Sequence, residues 1–132
     1  MKFLLDTHIW LWCLLEPKKL SHRVARALKE EDNELWLSPI SVWEALVLCE
    51  KKRLAVREED PSLWMTQALQ KIPLKEAPLT HEVALATQKI HLPHRDPADR
   101  FLIATALVHG LTLVTADKHI IASKQSPTLP NA

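Results

Sequence analysis

The sequence has a single glycine, two cysteines, no long hydrophobic run and almost no net charge, +1 over 132 residues. Each scarcity rules something out. A balance so near zero leaves no bulk field to attract nucleic acid or a membrane, so any polyanion must be met by a local patch. Apolar runs reach only about seven or eight residues, far short of a bilayer span. "MKFLL" meets Asp6 before a hydrophobic region develops, and no signal peptide is expected. Cys13 and Cys49 lie in apolar helical stretches outside any CxxC or metal-ligand spacing, which reads as reduced, buried thiols in a cytoplasmic protein. Seven histidines are present, yet no HExxH or His/Cys grouping; His91 and His94 flank Pro93 and read as surface residues. What remains, 47% hydrophobic and 25% charged, is a globular chain able to bury one core.

Short strand-like runs alternate with helical ones. "KFLL" (2–5) and "TLVT" (112–115) have the short, bounded, apolar character of buried parallel strands, with "ELWL" (34–37) and part of 72–79 as weaker candidates. Ser38-Pro39, Asp60-Pro61 and Asp96-Pro97 each open a helix, the first residue capping free N–H groups and proline filling the first helical position. Ser21 and Thr80 can cap two more. The lone Gly110 falls where the helix begun at Pro97 must stop, a place suited to a left-handed residue. A parallel sheet with helices on both faces is expected over residues 1–125, followed by a tail, 126–132, with a short last strand and then loose chain.

Four acids stand where apolar neighbours make them expensive. Asp6 ends the first strand and Asp117 follows "TLVT", so both leave strands at the carboxyl edge where doubly wound sheets collect ligands. Glu44 is the sole charge in "ISVWEALVLC" and shares a helical face with Ile40, Ser41, Val47 and Leu48. Asp99 shares one with Leu102, Ile103 and Ala106. Each has an ordinary alternative: Asp6 and Asp117 as helix caps, Glu44 in an ion pair, Asp99 in an imperfect capping box. Asp96 reads as a cap outright. Taken together, the four are better explained by one shared site. Clustered carboxylates need a cation between them, and an all-oxygen set suits Mg²⁺ or Mn²⁺, which serve phosphate chemistry.

"FLLDTHIWLW", "SPISVWEAL", "HRDPADRFLIATAL" and "LTLVTADKHI" resemble, in that order, the blocks of PIN-domain proteins, above all the VapC-type toxins of toxin–antitoxin pairs. The likeness runs from residue 2 to about 121. It implies a three-layer α/β/α sandwich with parallel strand order 3-2-1-4-5, a Mg²⁺- or Mn²⁺-dependent ribonuclease, frequent homodimers and a cognate antitoxin partner. Residue by residue, the family's four acids fall on Asp6, Glu44, Asp99 and Asp117, which makes them the implied metal-binding and catalytic set. Thr7 and Thr115 match hydroxyl positions that support the acids. Many relatives carry arginine where this chain has Ala116, so phosphate contacts must come from Arg95, Arg100, Lys118 or His119, which otherwise read as solvated charges. The apolar "HIWLWCLLEPKKL" offers Trp10 and Trp12 to the core or to a partner's apolar segment.

Two other functions fit less well. A haloacid-dehalogenase-like phosphotransferase would use Asp6 as nucleophile, but it wants a second aspartate two residues on, where this chain has His8. A degenerate PIN domain serving as an RNA-binding or scaffold module would not need all four acids.

Overall fold

The computed structural model describes residues 1–54, 60–93 and 96–132, so His94 and Arg95 lie outside the described residues. Five parallel strands, β1 (Lys2–Leu5), β2 (Glu34–Leu37), β3 (Lys75–Glu76), β4 (Thr112–Thr115) and β5 (Thr128–Pro130), form one sheet in the order 3-2-1-4-5. The expected order is the observed one. β1, β2 and β4 are the central strands, and the first is apolar on both faces: Phe3 and Leu5 pack into one core cluster, Leu4 into the other. Helices must then cover both sides.

On one face lie α1 (Thr7–Leu15), α2 (His22–Lys29), α3 (Pro39–Glu50) and α4 (Pro61–Leu69), packed around Ile9, Trp10, Val24, Ala45 and Met65. On the other lie α5 (His81–Ala86), α6 (Pro97–His109) and α7 (Lys118–Ser123), around Val83, Leu102, Ile103 and Ile120. The start signals act as read. Ser21, Ser38, Asp60, Thr80 and Asp96 each accept a backbone N–H from the first turn of the helix they precede. Gly110 closes α6 at φ +65°, a conformation that would strain any residue with a Cβ even though open space surrounds it.

Two expectations need correction. The expected short last strand is β5, paired with β4 from Leu113↔Thr128 to Thr115↔Pro130, but the chain after it is not loose. Asn131 then accepts the Ser21 N–H at 2.7 Å and donates to the Lys19 carbonyl at 2.9 Å, tying the chain end to the α1–α2 connection. The cysteines are free but half-buried, not buried: helix packing around each is incomplete, although burial still raises both thiol pKa values.

Candidate active site

Parallel register sets the first contact. Leu5 pairs with Val114, so the next residues, Asp6 and Thr115, stand side by side at the carboxyl edge. Thr115 Oγ1 donates to Asp6 Oδ2 at 2.6 Å, and the Thr7 N–H donates to Oδ1 at 2.7 Å. Asp6 thus caps α1 and faces β4 at once. Thr115 Oγ1 also accepts the Asp117 N–H at 3.0 Å, so one hydroxyl links both acids that follow strands.

The helical acid joins through Thr7. Its Oγ1 lies 2.6 Å from Glu44 Oε1 and 2.9 Å from Ser41 Oγ. A hydroxyl has one proton; given to the carboxylate, it leaves the Thr7 oxygen to accept from Ser41. Ser41 precedes Glu44 by three residues and so shares its helical face. That face is not core, as its apolar neighbours suggested: Ser41 is buried, but Glu44 is half-buried because the face opens into a cleft.

The cleft, about 340 Å³, is walled by Asp6, Glu44, Asp96, Asp99 and Asp117 together with His8, Trp12 and Ala116. All four family acids therefore line one cavity. Asp99 is buried in the first turn of α6. Asp117 caps α7, accepting the N–H groups of His119 and Ile120 on Oδ1. Asp96 caps α6 through the Ala98 N–H at 3.0 Å and adds a fifth carboxylate to the wall.

Burial dominates the electrostatics. Asp6 is held above the ordinary carboxylate range mainly by desolvation, with the Asp117 charge adding to it and the Thr115 and Thr7 hydrogen bonds opposing it. Glu44 is raised mainly by desolvation, with Asp6 and Asp96 adding to it, against the Thr7 hydrogen bond. His8, exposed on the first turn of α1, draws both downwards. No lysine or arginine lines the cleft among the described residues. A cation inside it would relieve the repulsion, and the donors are the carboxylate oxygens that Mg²⁺ or Mn²⁺ prefers. Among the described residues, no three His, Cys, Asp or Glu side chains are drawn together tightly enough to hold an ion alone.

The suggested phosphate contacts fare differently. Arg95 lies outside the described residues. Arg100 turns away: one residue from Asp99 is about 100° around the helix, and its guanidinium donates to the Thr87 carbonyl at 2.8 Å. Lys118 and His119 are exposed on α7 and do not line the cleft. Trp10 is fully buried, so only Trp12 of that pair reaches a cavity. Sequence reasoning missed His8, whose ring sits 5.9 Å from that of Trp12, and the buried Ser41. Their signal was spacing: His8 and Trp12 are four apart on α1, Ser41 and Glu44 three apart on α3.

Alongside this parallel 3-2-1-4-5 sheet with acids gathered at its carboxyl edge, residues 3–124 match the PIN-domain family model, and the chain belongs to that family. Among curated proteins it is similar to "Ribonuclease VapC22" of Mycobacterium tuberculosis, 34% identical over 120 residues that cover 89% of this chain and 88% of that one. The fold is shared with VapBC2 from Rickettsia felis bound to a DNA fragment from its promoter (TM-score 0.71, 16% identity, 98% of each chain). It is shared equally with DNA-bound VapBC from Salmonella typhimurium (TM-score 0.71, 17% identity, 100% and 99% of the two chains).

Proposed function

We propose that this chain is a Mg²⁺- or Mn²⁺-dependent endoribonuclease, the toxin of a toxin–antitoxin pair, with Asp6, Glu44, Asp99 and Asp117 as its working acids. The observation that carries this reading is the convergence of all four on one cleft. Similarity to a protein named as a ribonuclease supports the substrate class. Asp6, Asp99 and Asp117 would hold the ion, with Glu44 beside them. A bound ion supplies an acidified water and offsets charge on the leaving oxygen.

The protein's own part is positioning. Thr115 Oγ1 fixes Asp6 Oδ2, and the Asp117 N–H fixes Thr115 in turn. Thr7 Oγ1 engages Glu44 Oε1 and leaves Oε2 to accept a proton. The floor under Asp6 is dry, since Leu4, Leu5 and Val114 are all 0% exposed.

The antitoxin reading rests on a second cavity and on the toxin–antitoxin complexes that share the fold. A groove of about 590 Å³ runs along α1 over Leu11, Leu15, Leu48 and Leu54, and shares His8 and Trp12 with the acid cleft. An inhibitor laying an apolar segment there could send a basic side chain towards the acids and block substrate. Homodimerisation and cytoplasmic residence belong to the same proposal; no described helix is long and apolar enough to cross a membrane.

The test is cleavage of a mixed RNA pool by purified protein. Activity should need Mg²⁺ or Mn²⁺, vanish with chelator and be absent from Asp99→Asn, whose metal-free melting temperature is no lower than that of wild type. Cleavage that persists in chelator, or in folded Asp99→Asn, defeats the mechanism. Co-expression with the neighbouring gene product should restore growth and co-purify it, and Trp12→Asp should weaken that pairing.

A further inference from the structure

Charge is unevenly spread over this nearly neutral chain. Residues 17–29 carry Lys18, Lys19, Arg23, Arg26 and Lys29, and no acid occurs between Glu16 and Glu30. All five bases are exposed. Of these five, among the described residues, only Lys19 has an ion-pair partner, Glu16 at 2.6 Å. Arg23, Arg26 and Lys29 recur every third residue, which keeps them on one side of α2, where like charges repel. The opposite side is anchored through buried Val24. The fold therefore carries a cationic stripe on α2 with no acidic partner among the described residues.

Position gives the stripe a purpose. Strands run parallel, so Asn131, just beyond β5, lies at the carboxyl edge. Its side chain binds both the Lys19 carbonyl and the Ser21 N–H, which places the start of α2 at the edge where the acids gather. Lys19 Nζ stands 5.5 Å from the ring centroid of Trp12, and Trp12 is cleft wall. The cleft itself is carboxylate-rich, without lysine or arginine among its described lining. A polyanion cannot be held there by side chains alone; attraction has to come from outside the reacting centre.

We propose that the exposed basic face formed by the 3₁₀ turn Pro17–Lys19 and α2 is the docking track for the phosphate backbone of the RNA strand flanking the cut, leading it past Trp12 into the acid cleft. This rests on the ribonuclease reading and adds to it where the substrate is gripped. Charge complementarity with a polyphosphate chain selects the occupant, since backbone phosphates meet lysine and arginine without regard to sequence.

The experiment is steady-state cleavage of a 5′-labelled single-stranded RNA of roughly thirty nucleotides, enough to span cleft and helix, across a salt series. It compares wild type, Arg23→Gln/Arg26→Gln, and a charge-matched control, Lys89→Gln/Lys124→Gln, on the other face of the sheet. For the α2 variant, KM should rise about tenfold with kcat held within about twofold, and the slope of log KM against log salt should flatten by about 1.4. The control should match wild type. Lys18→Gln, outside the helix, should flatten the slope by about 0.7 even if the double variant folds poorly. Unchanged KM and slope in Lys18→Gln and a folded double variant, or an equal change in the control, overturns the track. The same holds if these variants lose only a co-purifying protein partner, for the face would then belong to that protein. A wild type that cuts no RNA removes the ribonuclease reading itself, an outcome distinct from a wild type that cuts with α2 playing no part.

Discussion

On one bank of the cleft, Asp6, Thr7, Ser41, Glu44 and Thr115 are joined by side-chain hydrogen bonds between residues 34 to 109 apart in sequence. On the other, Asp96 and Asp117 are each held by N–H groups two or three residues on, at the start of the helix they cap. The first bank exists only when β1, α3 and β4 are assembled; the second comes with its own helices. The difference also shows in charge. Burial lifts Asp6 and Glu44 above their usual pKa values, a cost that the long-range hydroxyl contacts only partly offset. Burial puts Asp6 and Glu44 under a tension that a cation can release.

Breaking the first bank should have the largest effect. Asp6→Asn is expected to lower cleavage by more than about a hundredfold, beyond what losing a mere supporting partner costs, while Asp60→Asn, a cap of the same Asp-Pro type on α4, leaves the rate alone. Thr115→Val should follow, lowering activity by about ten- to a hundredfold, because it frees Asp6 Oδ2 and leaves the Asp117 N–H without its acceptor. Single-turnover cleavage at saturating metal ranks the two.

The second bank can be tested against its twin. Asp96→Ala and Asp60→Ala should each cost about 1 kcal/mol by denaturant unfolding, and Asp96→Asn a few tenths at most. Only the Asp96 changes should also alter cleavage, because Asp60 is not part of the cleft wall. Equal, null effects on rate would reduce Asp96 to a cap.

The smallest effect is one of pH. Asp6 and Glu44 have folded pKa values raised above 3.8 and 4.5, so between those values and the raised ones the folded state holds more protons than the unfolded. Their contribution to stability is therefore fully present below 3.8 and 4.5 and is lost as pH rises through the raised values. Melting of chelator-treated protein should show this decline, and Glu44→Gln should flatten it. A steeper decline in Glu44→Gln would contradict the assigned cause.

Much of this was legible because the signals are local. Four-residue apolar strands, Asp-Pro and Ser-Pro starts and one glycine stop each declare themselves within a turn of chain. The acids were legible as misfits among apolar neighbours. What escaped depends on azimuth or on distant pairing. Arg100 adjoins Asp99 in sequence yet points to Thr87, and Ser41 has meaning only once Thr7 is packed against α3. A short last strand was legible in the closing residues, but not the anchoring of Asn131 to Ser21 and Lys19, more than a hundred residues away in sequence.

The most direct test of the central claim is the melting temperature of wild type and Asp99→Asn as Mn²⁺ is added to chelator-stripped protein. Wild type should gain stability that saturates with metal, as any ligand of the folded state confers. Asp99→Asn should start at or above the wild-type value without metal and gain little from it. An equal rise in both proteins, or no rise in either, would contradict a cation-binding carboxylate cleft.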